Sequence, residues 1–137
     1  MRLFLDANVL FTAAHNPEGR SAALVVLARR GFFSLHTSPH ALEEARRNLR
    51  VKAPRDADAL EKLLETISVE GEASAPLVSW ALEQGLPLKD APILAGAVGA
   101  DADLLVTGDR KHFGHLYGAT LRGVEIVTPA ETLARLL

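Results

Sequence analysis

Ala102-Asp103-Leu104-Leu105-Val106-Thr107-Gly108-Asp109 is the stretch whose reading decides the fold. Leu104 to Thr107 is a strongly apolar run, without the polar alternation of a strand that faces water on one side. A strand of this kind is buried on both faces, as in parallel sheets covered by helices. Gly108-Asp109 then turns the chain. Leu3-Phe4-Leu5 repeats the pattern at the start of the sequence and also runs into an acidic residue, Asp6.

Working outward, strand and helix signals alternate. Residues 20 to 30 are rich in Ala, Leu and Val, and Gly31 supplies a C-terminal stop, so a helix is expected there. Phe32 to Thr37 reads as a second strand. Ser38-Pro39 opens a helix, with Ser at the cap and Pro in the first turn. Helices are also expected over 55 to 67, over 73 to 84 before Gly85, and over 90 to 98, where the residues are small enough to pack very close to a sheet. Val124 to Val127 is a last strand, and Pro129 starts a C-terminal helix. This alternation, with continuously apolar strands, predicts a parallel sheet with helices on both faces.

The bulk numbers agree with one domain. The chain has 137 residues, 48% of them hydrophobic, and a formal net charge of −2. That length matches a typical domain of roughly 100–150 residues. No linker composition interrupts it, so residues 1–137 are read as one unit. The absence of cysteine excludes disulfides and thiolate metal sites. Asp6 arrives before an apolar segment of signal-peptide length can form, and no apolar run reaches membrane-spanning length, so a soluble, cytoplasmic protein without membrane contact is expected. The slight negative charge does not advertise nucleic-acid binding, yet it suits a site that gathers carboxylates.

Ligands of open α/β sheets bind beyond the carboxyl ends of the strands. Asp6 and Asp109 each follow a strand and are expected at that edge. Asp90 opens the short helix before the Leu104 strand, and a right-handed crossover would bring its start to the same edge. A fourth acid comes from the helix opened by Ser38. At 100° per residue, Ala41, Leu42, Ala45 and Leu49 form the buried stripe, Glu43 falls among Arg46, Arg47 and Arg50, and Glu44 lies beside the stripe next to Asn48. Glu44 is therefore the better candidate. Singly, each acid is equally a cap, a turn or a solvated residue. Together they repel, and a hard cation is the simplest way to hold them.

Four segments resemble the motifs of the PIN-domain family. Leu5-Asp6-Ala7-Asn8-Val9-Leu10 is similar to its opening signature. Thr37-Ser38-Pro39-His40-Ala41-Leu42-Glu43-Glu44 is similar to the second motif, a Ser followed six residues later by an acid, which again selects Glu44. Lys89-Asp90-Ala91-Pro92-Ile93-Leu94-Ala95-Gly96-Ala97 resembles the third motif. Ala102 to Asp109, with Phe113 four residues on, resembles the fourth. The chain departs from many family members beside Asp90, where Lys89 and Ala91 stand instead of a second acid.

The resemblance implies a three-layer α/β/α fold with a central parallel sheet of four to five strands. It implies a ribonuclease in which Asp6, Glu44, Asp90 and Asp109 hold Mg²⁺ or Mn²⁺ and are the catalytic set, with RNA as substrate. A homodimer and an antitoxin partner follow from the family's toxin–antitoxin members. Asn8, Ser38 and Thr107 would orient the ligands. Arg46, Arg47, Arg50, Arg110 and Lys111 would contact RNA. His112 and His115 read as surface residues, and Trp80 as core. A non-catalytic PIN-like binding module is disfavoured because all four acidic positions are filled. A haloacid-dehalogenase-like phosphatase would need acids where Asn8 and Phe113 stand, and no G-x-G-x-x-G follows the first strand to suit a dinucleotide.

Overall fold

The two apolar runs become neighbours at the centre of one sheet. The computed structural model describes residues 1–136. In chain order the elements are β1 (Arg2–Leu5), α1 (Ala7–His15), α2 (Arg20–Arg29), β2 (Ser34–Thr37), α3 (Pro39–Lys52), α4 (Ala57–Leu63), β3 (Ile67–Val69), α5 (Ala75–Leu82), α6 (Ala91–Gly99), β4 (Leu104–Val106), α7 (Arg110–Phe113), β5 (Thr120–Leu121), β6 (Val124–Val127) and α8 (Pro129–Leu136). The sheet order is β3-β2-β1-β4-β6-β5, and all pairings are parallel except β5 with β6.

Burial follows the sequence pattern. Leu3, Phe4, Leu5, Leu105 and Val106 have no solvent exposure. β1 pairs with β4 in the register Leu3↔Leu104 and Leu5↔Val106, so both strands end at the same edge. From β1 the chain moves outward through β2 to β3, then returns to place β4 on the other side of β1. The point where the strand order reverses lies between β1 and β4. Helices leave opposite faces there and open a crevice. Helix α1 packs on α2, α3 and α4, whereas α5 packs on α6.

The close approach expected of the small-residue helix is present. A Cβ on Gly96 of α6 would sit 3.0 Å from Phe4 Cζ and 3.7 Å from Ser38 Cβ. Glycine at this position lets α6 rest directly on β1 beneath the start of α3.

The sheet has the five parallel strands expected, β3-β2-β1-β4-β6, and adds a sixth, antiparallel strand at its edge. The helix expected over 55 to 67 is a 3₁₀ turn at Pro54–Asp56 followed by α4, which stops at Leu63. Ile67–Val69 then forms β3. This strand pairs with β2 and buries Ile67, and a set of polar contacts secures Glu70 just after it. Buried His36 on β2 meets Glu70 Oε1 through Nδ1 at 2.6 Å and Ser34 Oγ through Nε2 at 2.7 Å. Arg2 on β1 reaches the same Glu70 oxygen at 3.1 Å. Apolar periodicity carries no sign of such a clamp. The sixth strand, β5, is two residues long and returns antiparallel through Arg122 and Gly123. Both have positive φ, 48° and 85°, as a tight hairpin turn with the native strand twist requires. Arg122 also lies over the Trp80 ring, 4.5 Å from its centroid. Trp80 is half-buried against the core rather than inside it. Among the described residues, no helix is long and apolar enough to cross a membrane.

Gly96→Ala is expected to lower stability by about 1 kcal/mol. Overpacking against Phe4 costs roughly 1–3 kcal/mol, while the gain in helix propensity returns up to about 1. A denaturation midpoint equal to or above that of the parent would show that Phe4 yields freely.

Candidate functional site

Asp6 stands where β1 gives way to α1, and its backbone N–H donates to the Val106 carbonyl of β4 at 3.1 Å. That bond ties the two strand ends together. The Asp6 carboxylate is almost fully buried, and three donors hold it. Ala7 N donates to Oδ1 at 2.6 Å, and Oδ2 accepts from Thr107 Oγ1 at 2.8 Å and from Asn8 Nδ2 at 3.0 Å. Asn8 Oδ1 in turn accepts from Gly108 N at 2.8 Å, and Thr107 Oγ1 accepts from Asp109 N at 3.1 Å. Asn8 and Thr107 thus fix both the Asp6 carboxylate and the turn that carries Asp109. Tyr117 adds a bond from its hydroxyl to the Thr107 carbonyl at 2.9 Å.

Asp6, Glu44, Asp90 and Asp109 all line one open cleft of about 360 Å³, with Asn8, Asn48 and Lys89 also on its walls. The four acids share this cleft, but among the described residues only Asp90 and Asp109, together with His112, bring ligand atoms within 4.8 Å of one another. Glu44 faces the cleft, while Glu43 is exposed and pairs with Arg50 at 3.4 Å. Ser38 is placed differently from Asn8 and Thr107. Its hydroxyl accepts from Ala41 N at 3.2 Å and caps α3, with no hydrogen bond to a carboxylate among the described residues.

His112 belongs to the site, although sequence reasoning left it at the surface. Asp109 caps α7 by accepting from His112 N at 3.0 Å, and the His112 ring returns Nδ1 to Asp109 Oδ2 at 2.8 Å. Nδ1 also lies 3.1 Å from Asp90 Oδ2. Ligand atoms of Asp90, Asp109 and His112 all fall within 4.8 Å of one another. The signal that could have found His112 is its place three residues after an N-terminal Asp, where a side chain can reach back to the cap.

The basic residues divide. Arg46 makes a two-point pair with Glu61 at 3.0 and 2.6 Å, and Arg50 is paired with Glu43, so α4 and the outer face of α3 engage them. Arg47 stands with Lys89, His40, Asn48 and Glu44 on a side cleft that continues the main one. Arg110 lines a second cleft that shares Thr12 and Gly108 with it. Lys111 is exposed. Phe113, where a phosphatase would need an acid, is fully buried in the core.

The electrostatics are those of carboxylates crowded together. Burial pushes Asp6 from 3.8 up to about 6, against the bonds from Thr107 and Ala7 and with the help of Glu44 and Asp90. Burial likewise raises Asp90, partly offset by Lys89 and His112. Burial also acts upward on Asp109, but the bonds from the His112 backbone and ring outweigh it and hold Asp109 low. Asp90 Oδ2 is buried and receives no hydrogen bond, because the His112 N–H is directed at Asp109. An orphaned buried carboxylate oxygen beside Asp109, in a cleft that Asp6 and Glu44 also line, fits a hard divalent cation with oxygen ligands.

The profile of the PIN-domain family matches residues 2–111. The chain belongs to the PIN-domain family. No curated protein matches it. Among solved structures, VapBC2 from Rickettsia felis bound to a promoter DNA fragment is similar at 18% identity and a TM-score of 0.67, covering 93% of this chain and 98% of that one. PAE2754 from Pyrobaculum aerophilum is similar at 21% identity and a TM-score of 0.70, covering 99% and 98%. VapC20 from Mycobacterium tuberculosis, a sarcin-ricin loop cleaving toxin, is similar at 18% identity and a TM-score of 0.57, covering 80% and 91%. At these identities the likeness concerns the fold. The PIN-type sheet and its α helices account for where the cleft lies.

The raised Asp6 carboxyl has a measurable consequence in chelator. The folded PIN domain keeps this proton up to about pH 6, while the unfolded chain releases it near 3.8, so the fold binds more protons in that window and loses stability as pH rises through it. The loss is on the order of 3 kcal/mol, and Asp90 adds to it in the same direction. Asp109, held low, titrates below the window. The downward slope between these pH values is expected to be shallower in Asp6→Asn; equal slopes in the two proteins would contradict the assignment.

Proposed function

We propose that this PIN domain is a divalent-metal-dependent endoribonuclease, the toxin of a toxin–antitoxin pair. The observation that carries the reading is the single cleft lined by Asp6, Glu44, Asp90 and Asp109, with a buried Asp90 oxygen left without a hydrogen bond. Asp6, Glu44, Asp90 and Asp109 would hold Mg²⁺ or Mn²⁺. When bound, such an ion lowers the pKa of a water and stabilises charge on phosphodiester oxygens. The chain's own residues do the positioning. Thr107 and Asn8 fix Asp6, and Gly108 and Asp109 are fixed through the same two side chains. His112 sets the orientation of Asp109. Lys89, Arg47 and Arg110 supply positive charge around an otherwise acidic centre.

Several of the likenesses support an RNA substrate and a protein partner. VapC20 is a sarcin-ricin loop cleaving toxin, and VapBC2 is a toxin–antitoxin complex on promoter DNA. We further propose that the chain acts in the cytoplasm and that, as the family resemblance implies, it forms a homodimer, with RNA as its substrate and an antitoxin as its protein partner.

Asp6→Asn, Glu44→Gln, Asp90→Asn and Asp109→Asn are each expected to reduce Mg²⁺-dependent RNA cleavage at least about 100-fold, since each removes a charge from the ion's ligand set, while Glu43→Gln stays within about twofold. Chelator is expected to stop cleavage, and Mn²⁺ to restore it. RNA cleavage that survives chelator, or that survives all four substitutions, would remove the basis of this reading. Retention of the folded circular-dichroism spectrum separates loss of chemistry from loss of structure.

A further inference from the structure

Beside the carboxylate cleft lies a second cleft of about 480 Å³ whose chemistry is the opposite. The two share Thr12 and Gly108, so they adjoin along one face of the molecule. None of the residues lining the second cleft is acidic. Arg20 and Arg110 stand on its walls, and neither makes an ion pair or a hydrogen bond among the described residues. The N-terminus of α2, a ten-residue helix, opens into it at Gly19, and no side chain caps that terminus. The first-turn N–H groups of Arg20, Ser21 and Ala22 are therefore available to an acceptor.

Ser21 points independently to a ligand. It is only 4% exposed, it lines this cleft, and its hydroxyl makes no hydrogen bond among the described residues. A polar side chain this deep that has no protein partner is normally satisfied by water or a ligand that enters the cleft it lines. Two unpaired guanidinium groups, a helix N-terminus and an unpartnered donor surround one space. That is a site for a doubly hydrogen-bonding anion such as a phosphodiester.

We propose that the Arg20–Ser21–Arg110 cleft is a phosphate subsite that holds a nucleotide flanking the scissile bond. The proposal rests on the nuclease reading for the identity of the strand. On the other side of the carboxylates, Arg47 and Lys89 line the side cleft that shares Glu44 and Asn48 with the main one. The three adjoining clefts thus pass from cations through carboxylates to cations. A single polynucleotide strand matches that order: backbone phosphates meet arginine or lysine at both ends, and the central phosphate meets the acidic cluster. A compact monophosphate would need only one of these regions.

The test measures binding, so that it does not depend on cleavage. A fluorescent single-stranded RNA is titrated onto the Asp109→Asn protein in Mg²⁺ at several salt concentrations. Adding Arg20→Gln and Arg110→Gln together is expected to weaken binding about tenfold and to reduce the slope of log K against log salt by about 1.4, since each phosphate contact on a single strand contributes about 0.7. Ser21→Ala is expected to weaken binding while leaving the slope unchanged, because a hydroxyl releases no counterion. Arg30→Gln, at the far end of α2, is expected to change neither. An unaltered slope in the double variant overturns the subsite. Binding of an acidic peptide that displaces no RNA, yet is lost in the double variant, overturns it in favour of a protein-docking role. A reduced slope in a protein whose parent cuts no RNA leaves the subsite standing and removes the nuclease reading instead.

Discussion

The hydrogen bond from the Asp6 N–H to the Val106 carbonyl is the constraint on which the site depends. It extends the β1–β4 pairing one residue past the strand ends and holds Asp6 level with Thr107. Without that alignment, Thr107 Oγ1 would not reach the Asp6 carboxylate, and Asn8 would not span from Asp6 to the Gly108 amide. A buried carboxylate is costly unless donors surround it. Here the donors come from both strand ends, so the order of the sheet and the order of the site are the same fact.

The crowding that follows is a form of stored electrostatic strain. Asp6 is pushed upward by burial, Glu44 and Asp90, and Asp90 by burial, Asp109 and Glu44. Evolution of a fold for stability alone would not leave such a set at one edge. His112 relieves part of it by directing a ring N–H at Asp109, and Lys89 relieves part of it at Asp90. What stays least relieved is Asp90 Oδ2, buried and without a hydrogen bond, with the His112 ring 3.1 Å away as its only nearby ion-pair contact among the described residues.

Much of this was legible in the sequence, for reasons that differ by residue. The apolar runs at Leu3–Leu5 and Leu104–Val106 report burial directly, and the acids that follow them inherit their edge from the strands. Glu44 was separable from Glu43 because a helix has a fixed period. Two kinds of feature were not legible. The end of β3 is secured by the Arg2–Glu70–His36–Ser34 clamp, which joins Arg2, Ser34 and His36 of β2, and Glu70 across long stretches of chain with no period. His112 is placed by the geometry of a four-residue helix, which is too short to announce itself by pattern. The division of the arginines was hidden for a similar reason, since Arg46 finds Glu61 on another helix and not a neighbour on its own.

The Arg122–Gly123 hairpin offers a practical handle on the molecule. β6 runs parallel to β4, with Leu104 opposite Glu125, so the turn before β6 lies at the amino edge of the sheet, away from the crevice. A fluorophore, affinity tag or split-reporter insertion at this tip would disturb little beyond the stacking of Arg122 on Trp80. The groove could then be watched while it fills, by a label that does not stand in the way of what enters it.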